Sequence, residues 1–179
     1  MKVKVLSEHG YEESALGFSL SYNSTVERAK ELFSKFAWGK SGETKFLESM
    51  YIWVDVDAPR FWWSEADTYR ISTKQSASTM HTLAKNFVKS EDFEYPIMPR
   101  TLIDVNHLID DFTKKRITIA ELKNGLPDGF LQRRIWVINY RTLQNIYAQR
   151  HNHRLPQWHT FLDTVLSQIQ HPEFIKPPE

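Results

Sequence analysis

Between Gly129 and Leu162 the chain carries five arginines (Arg133, Arg134, Arg141, Arg150, Arg154) and three histidines, with no aspartate or glutamate. In a protein of net charge +1, such a run points to an anionic partner for this stretch. Asn139, Arg141, Asn145 and Arg150 combine fork-shaped cations with amides that donate and accept, the groups that a phosphate plus a heterocycle edge requires. A solvated helix face accounts for the same residues equally well. His151, His153 and His159 do not share one helical face and have no carboxylate beside them in sequence, so no metal is expected. Asp55 and Asp57, on alternate positions of an expected strand, read as an edge facing water at least as readily as a pair of catalytic acids.

The elements that must hold these residues are partly visible. Ile135 to Ile138 is a β-branched run expected to be a strand, after which Leu143, Ile146 and Tyr147 take up helical spacing. Arg141 and Asn145 then share a face, with Arg150 at the helix end. Pro156 opens a last helix whose Trp158, Phe161, Leu162, Val165, Leu166 and Ile169 form an apolar stripe, stopped by Pro172 and followed by a frayed KPPE tail. Upstream, Met1 to Leu6 alternates as a strand, with a turn at Ser7 to Gly10. Ser24 to Glu27 reads as a capping box for a helix ending at Gly39, and Tyr51 to Asp57 as a strand closed by Pro59. Pro59 to Tyr69 suits a short helix, Ile71 to Thr79 a hydroxyl-rich loop or irregular strand, and Leu83 to Val88 a helical turn or two. Lys89 to Pro99 reads as an exposed connection, and Leu102 to Phe112 as an amphipathic helix followed by Lys114, Lys115 and Arg116.

A length of 179 residues without repeats or linker composition is expected to form one mixed domain of helices and strands spanning 1–179. The absence of cysteine excludes disulfides, thiolate catalysis and cysteine-held metals, and a cytoplasmic location is expected. No apolar run approaches a membrane span and the first residues lack a signal-peptide core. The near-zero net charge gives no global argument for nucleic acid, although arginines alone leave RNA or DNA open. There is no P-loop, GxGxxG, GxSxG or HExxH, and with six glycines phosphate recognition falls to arginine, serine and helix N-termini.

Taken together, Leu126-Pro127, then Asn139-Tyr140-Arg141-Thr142-Leu143-Gln144-Asn145 beginning twelve positions after that proline, Arg150 and Gln157-Trp158 resemble the flavin-dependent thymidylate synthases (ThyX). That family carries LP, N-x-R-x-L-x-N, an arginine and Ala-Gln-Trp-Glu. One extra residue separates Arg150 from Gln157, and Pro156 and His159 stand for the alanine and glutamate. Gly42 to Glu48 is similar to the family's Gly-His-x-Ser-x-x-Glu segment without its histidine. The hallmark beginning RHR falls on Thr68-Tyr69-Arg70 to Met80-His81. Arg70 and Ser78 are kept, whereas Thr68, Tyr69, Ser76 and Met80 replace Arg, His, Glu and Arg.

The resemblance implies an α+β fold with a central antiparallel sheet and flanking helices, a homotetramer binding FAD between subunits, and a pyrimidine nucleotide, dUMP or a relative, stacked on the flavin. It implies one-carbon transfer to C5 with methylenetetrahydrofolate as donor and NADPH as reductant, and it makes nucleic acid an unneeded partner. Tyr69, Arg70, Asn139, Arg141 and Asn145 would contact the cofactor or its neighbours. Ser78 would hold the nucleotide phosphate, Lys123 would take the place of a nucleotide-contacting arginine, and Arg150 would meet the pyrimidine edge and polarise its carbonyl. Each charge-assisted bond lost with Thr68 and Met80 would cost about 1.5–3 kcal/mol, with Lys74 or Arg154 as substitutes. A family-fold protein that has lost catalysis and serves as a nucleotide-binding or assembly module is the alternative. A short, divergent version suits a phage genome.

Overall fold

The computed structural model describes residues 1–39 and 42–177, so Pro178 and Glu179 of the expected tail lie outside the described residues. Four strands, β1 (Lys2–His9), β2 (Tyr51–Pro59), β3 (Ser72–Ser76) and β4 (Leu131–Asn139), form an antiparallel sheet in the order β1-β2-β4-β3. The helices are α1 (Tyr11–Tyr22), α2 (Val26–Phe36), α3 (Phe46–Ser49), α4 (Arg60–Ala66), α5 (Thr79–Thr82), α6 (Pro99–Thr113), α7 (Ile119–Asn124), α8 (Tyr140–Arg150) and α9 (Pro156–Gln168). The expected α+β class, a central sheet with flanking helices, is what the chain adopts.

The chain divides into two compact units, and the division falls inside β2, β3 and β4. The first comprises Met1, Asp57–Thr68 and Gln75–Arg134. Its core is Leu83, Val88, Phe93, Val105, Ile109, Leu122 and Leu126. Val105 and Ile109 lie four apart and both are buried on α6, as the amphipathic spacing requires. Two expectations change here. The helical turn comes earlier than Leu83, at Thr79–Thr82. The segment 89–99 is not wholly an exposed connection, because Phe93 is buried, packs edge-on against Phe130 at 5.7 Å and bridges to it in antiparallel fashion. Arg134 is held by Asp67 at 3.0 Å and lies 4.4 Å over the Trp63 ring, so this arginine is structural within its unit.

The second unit comprises Lys2–Val56, Tyr69–Lys74 and Ile135–Glu179. Along β2, Ile52, Val54 and Val56 are buried while Tyr51 and Trp53 are exposed, the period-two alternation of a strand with one covered face. Phe33 stacks on Phe46 at 3.9 Å, and Phe174 meets both rings edge-on. On α9, Trp158, Phe161, Leu162 and Val165 are buried, which is the stripe that the spacing after Pro156 foretold.

Other boundaries shift. Thr25, not Ser24, caps α2, accepting from the Arg28 N–H at 3.2 Å, and the helix stops at Phe36, short of Gly39. β1 runs on through Ser7 to His9, and the turn is made by Gly10 at φ +95. A side chain at Gly10 would place its Cβ 2.2 Å from the Ser49 carbonyl oxygen. At and just beyond the end of α9, β1 is tied down twice: the Val5 N–H donates to Gln168 Oε1 at 2.8 Å, and the Gln170 N–H donates to Glu8 Oε2 at 2.7 Å. The other oxygen of Glu8 accepts the Tyr140 hydroxyl. Burial first, and then this bond to Glu8, push the Tyr140 phenol well above its usual range. Among the described residues no helix is long and apolar enough to cross a membrane.

Candidate functional site

The site grows from the junction of β4 and α8, within the second unit. Asn139 ends the strand and caps the helix: it is 4% exposed, and its Oδ1 accepts the Thr142 N–H at 2.7 Å. An amide here satisfies one of the N–H donors that a helix start leaves without intrahelical partners. Asn139→Ala is therefore expected to lose about 1–2 kcal/mol of stability in urea unfolding, and Asn139→Asp, which keeps the acceptor, much less.

Leu143 and Ile146 bury one face of α8, leaving Arg141 and Asn145 exposed on the other. Two polar side chains then fix what surrounds that exposed face. The Thr142 hydroxyl donates to the Ile71 carbonyl at 3.0 Å. The Gln144 amide, buried, donates to the carbonyls of Ala37 at 2.9 Å and Phe174 at 3.0 Å. The result is a cleft of about 420 Å³ lined by Trp38, Ile71, Arg141, Thr142, Gln144, Asn145 and Ala148. Arg141 Nη1 donates to Gln144 Oε1 at 2.6 Å, which orients its guanidinium. Ile71 is 75% exposed, an apolar surface presented beside a cation and an amide.

Arg150 closes α8. Its Nε donates to the Tyr69 hydroxyl at 2.9 Å, and its Nη1 lies 2.8 Å from His153 Nε2. The guanidinium carbon lies 5.1 Å from the Trp158 ring centre and 5.9 Å from that of Tyr69, within cation–π reach of both. Tyr69 itself is 6% exposed and meets Trp158 edge-on at 6.0 Å. The Leu155 N–H approaches His153 Nδ1 at 3.2 Å. An imidazole must carry a proton on at least one ring nitrogen, so Arg150 and Leu155 cannot both donate to this ring at once.

Of the residues singled out in the sequence, Arg141 and Asn145 line the cleft, while Tyr69 and Arg150 are in direct contact. Asn139 is buried behind them as the helix cap, and Arg70 follows Tyr69 as an exposed side chain. Ser78 and Lys123 belong to the first unit. Ser78 is exposed at the start of α5, with its carbonyl accepting the Thr82 hydroxyl at 2.7 Å, and Lys123 sits half-buried in the last turn of α7. Of the two substitute cations, Lys74 is engaged 4.7 Å over the Trp136 ring, whereas Arg154 is exposed. His159 is also exposed, and no three histidine or acidic side chains among the described residues are placed to hold a metal.

Two residues with site roles went unnoticed in the sequence. Gln144 supports the cleft, and Gln149 accepts the Tyr69 hydroxyl at 3.0 Å while donating to Asn145 Oδ1 at 3.0 Å. Gln149 was detectable only through its spacing, four residues after Asn145.

No family model matches the chain, and no curated protein matches it in sequence. Solved structures similar to it include two of the flavin-dependent thymidylate synthase ThyX from Helicobacter pylori with FAD and dUMP. Their TM-scores are 0.82 and 0.81 at 16% identity, and each match covers 98% of this chain and 98% of the other. The chain has the fold of the flavin-dependent thymidylate synthases, the family that its residues from Leu126 to Trp158 resemble.

Proposed function

We propose that this protein is a divergent FAD-dependent enzyme that transfers a one-carbon unit to C5 of a pyrimidine nucleotide, dUMP or a close relative. One observation carries the reading: a fold shared over 98% of both chains with enzymes holding FAD and dUMP coincides with Arg141 and Asn145 lining one cleft. The donor set suits a flavin, since a guanidinium, an amide, an indole and an exposed aliphatic side chain together can meet both the polar edge and the flat face of a heterocycle. When bound, the flavin supplies the redox and carbon-transfer chemistry, and the protein's share is binding, orientation and electrostatics.

In this reading Tyr69, Arg70, Arg141 and Asn145 surround the cofactor, with Asn139 holding α8 in place. Arg150 presents its cation to the pyrimidine edge and stabilises negative charge developing on the ring carbonyl. Ser78 and Lys123 serve the nucleotide, NADPH and methylenetetrahydrofolate act as reductant and donor, and the working assembly is a homotetramer. Purified protein should be yellow or take up FAD, and dUMP should perturb the flavin absorption bands. A colourless protein that binds no FAD would refute the proposal.

A reading without catalysis has its own support in the rewritten hallmark. The Thr68 hydroxyl is spent on the Glu65 carbonyl at 2.7 Å, and Met80, 58% exposed, offers no cation. Rescue of thymidine-requiring cells by this chain decides between the two: growth establishes the enzyme, whereas FAD and dUMP binding without growth favours a binding module.

A further inference from the structure

The contacts around Tyr69 form a directed chain. Arg150 Nε–H donates to the Tyr69 hydroxyl at 2.9 Å, that hydroxyl donates to Gln149 Oε1 at 3.0 Å, and Gln149 Nε2 donates to Asn145 Oδ1 at 3.0 Å. Its polarity is not free. A guanidinium can only donate, so the tyrosine oxygen accepts from it, and the buried hydroxyl places its own proton on the other partner, the Gln149 oxygen. The Gln149 NH2 then faces Asn145, whose oxygen is thereby engaged. With its oxygen oriented toward Gln149, Asn145 keeps its NH2 to donate to a ligand in the cleft. One cation at the end of α8 thus sets the orientation of two side-chain amides, each of which could otherwise turn either way.

We propose that Tyr69 and Gln149 are positioning residues: they hold the Arg150 guanidinium in place and fix Asn145 as a hydrogen-bond donor, so that the cleft selects a ligand edge presenting an acceptor. This deepens the nucleotide and flavin reading above and rests on it for the role of Arg150. Tyr69 occupies the place of the motif's histidine, and its substitution converts that position into the middle link of the chain. The ring is held independently of the hydroxyl, by its burial and its edge-on contact with Trp158, so Tyr69→Phe removes the link while keeping the packing. Gln149 is exposed on α8, which makes Gln149→Leu a second break in the chain at a position that the core does not need.

The test uses the full chain with added FAD and follows two quantities, the solvent exchange of the Arg150 Nε–H by NMR and the Kd for dUMP by calorimetry. Tyr69→Phe should raise the exchange rate about tenfold and the Kd about tenfold, with Gln149→Leu moving both in the same direction. In an Arg150→Ala background neither substitution should change the Kd further, because residues acting through one group are non-additive. Unchanged exchange in both variants overturns the proposal, as does an equal loss of affinity with and without Arg150. If the unsubstituted protein binds neither FAD nor dUMP, the nucleotide reading fails, while the exchange measurement still decides whether the chain holds Arg150.

Discussion

Gly10→Ala is expected to lower the unfolding midpoint by roughly 4–24 °C. The residue makes the turn from β1 into α1 at φ +95, a conformation that alanine adopts only at a cost of about 1–3 kcal/mol. The added Cβ would also lie 2.2 Å from the carbonyl oxygen of Ser49, and relieving an overpacked contact typically costs another 1–3 kcal/mol. The obstacle is backbone rather than a side-chain tip, so the strand or the segment at Ser49 must move. For a chain of this size, 1 kcal/mol corresponds to roughly 2–4 °C. Calorimetry of the purified variant checks the expectation, and a midpoint within 2–3 °C of the parent would mean that the turn relaxes freely. The contrasting control is Gly17→Ala on α1, where nothing lies within 4 Å of the added atom. That change should be neutral or stabilising, since alanine is favoured over glycine inside a helix by about 1 kcal/mol.

Arg150→Ala is expected to raise the Kd for dUMP by about 30-fold or more. Removing one member of a desolvated charged interaction costs about 2–5 kcal/mol, which at 1.4 kcal/mol per decade is roughly 30-fold to several thousand-fold in Kd. Arg150→Lys should recover little. The guanidinium donates through Nε to Tyr69 while lying over the Trp158 ring, a combination of planar fork and stacking that an ammonium cannot reproduce. Flavin uptake measured in the same samples separates a nucleotide defect from misfolding. FAD retention with lost dUMP affinity assigns Arg150 to the nucleotide, and an unchanged dUMP Kd removes it from the site.

What could be read in the sequence was the part whose local chemistry agrees with its tertiary use. Ile135 to Ile138 and Pro156 announce strand and helix start through β-branching and a fixed φ, and the structure uses each in that way. α1 escaped because its pattern runs against burial: Ser14 and Ser19 are buried while Leu16 and Leu20 are exposed. No periodicity rule finds a helix whose serines face inward. α7 did carry a signal, the Thr118 and Glu121 capping box, which was overlooked beside the basic run before it. Phe93, set among Glu91, Asp92 and Glu94, looked exposed by company, yet its partner Phe130 lies far along the chain. In the site, arginine and asparagine stood out by type and motif spacing. Gln144 and Gln149 did not, because an amide's importance is set by the carbonyls and hydroxyls that folding brings to it, here Ala37, Phe174 and Tyr69.

The tie between β1 and the chain just beyond α9 bears on how the protein is made. Glu8 leaves the ribosome early, but the Gln170 N–H that it accepts is synthesised 162 residues later. At about 5–20 residues per second, the strand waits roughly 8–30 s for that partner. During this interval β1, which lies at the edge of the sheet, lacks its contacts with Gln168 and Gln170, and an unguarded edge strand is a template for pairing with other chains. Slow translation of the codons leading up to Gln170 would therefore lower the yield of native protein without altering any residue, and holding nascent chains away from one another would restore it.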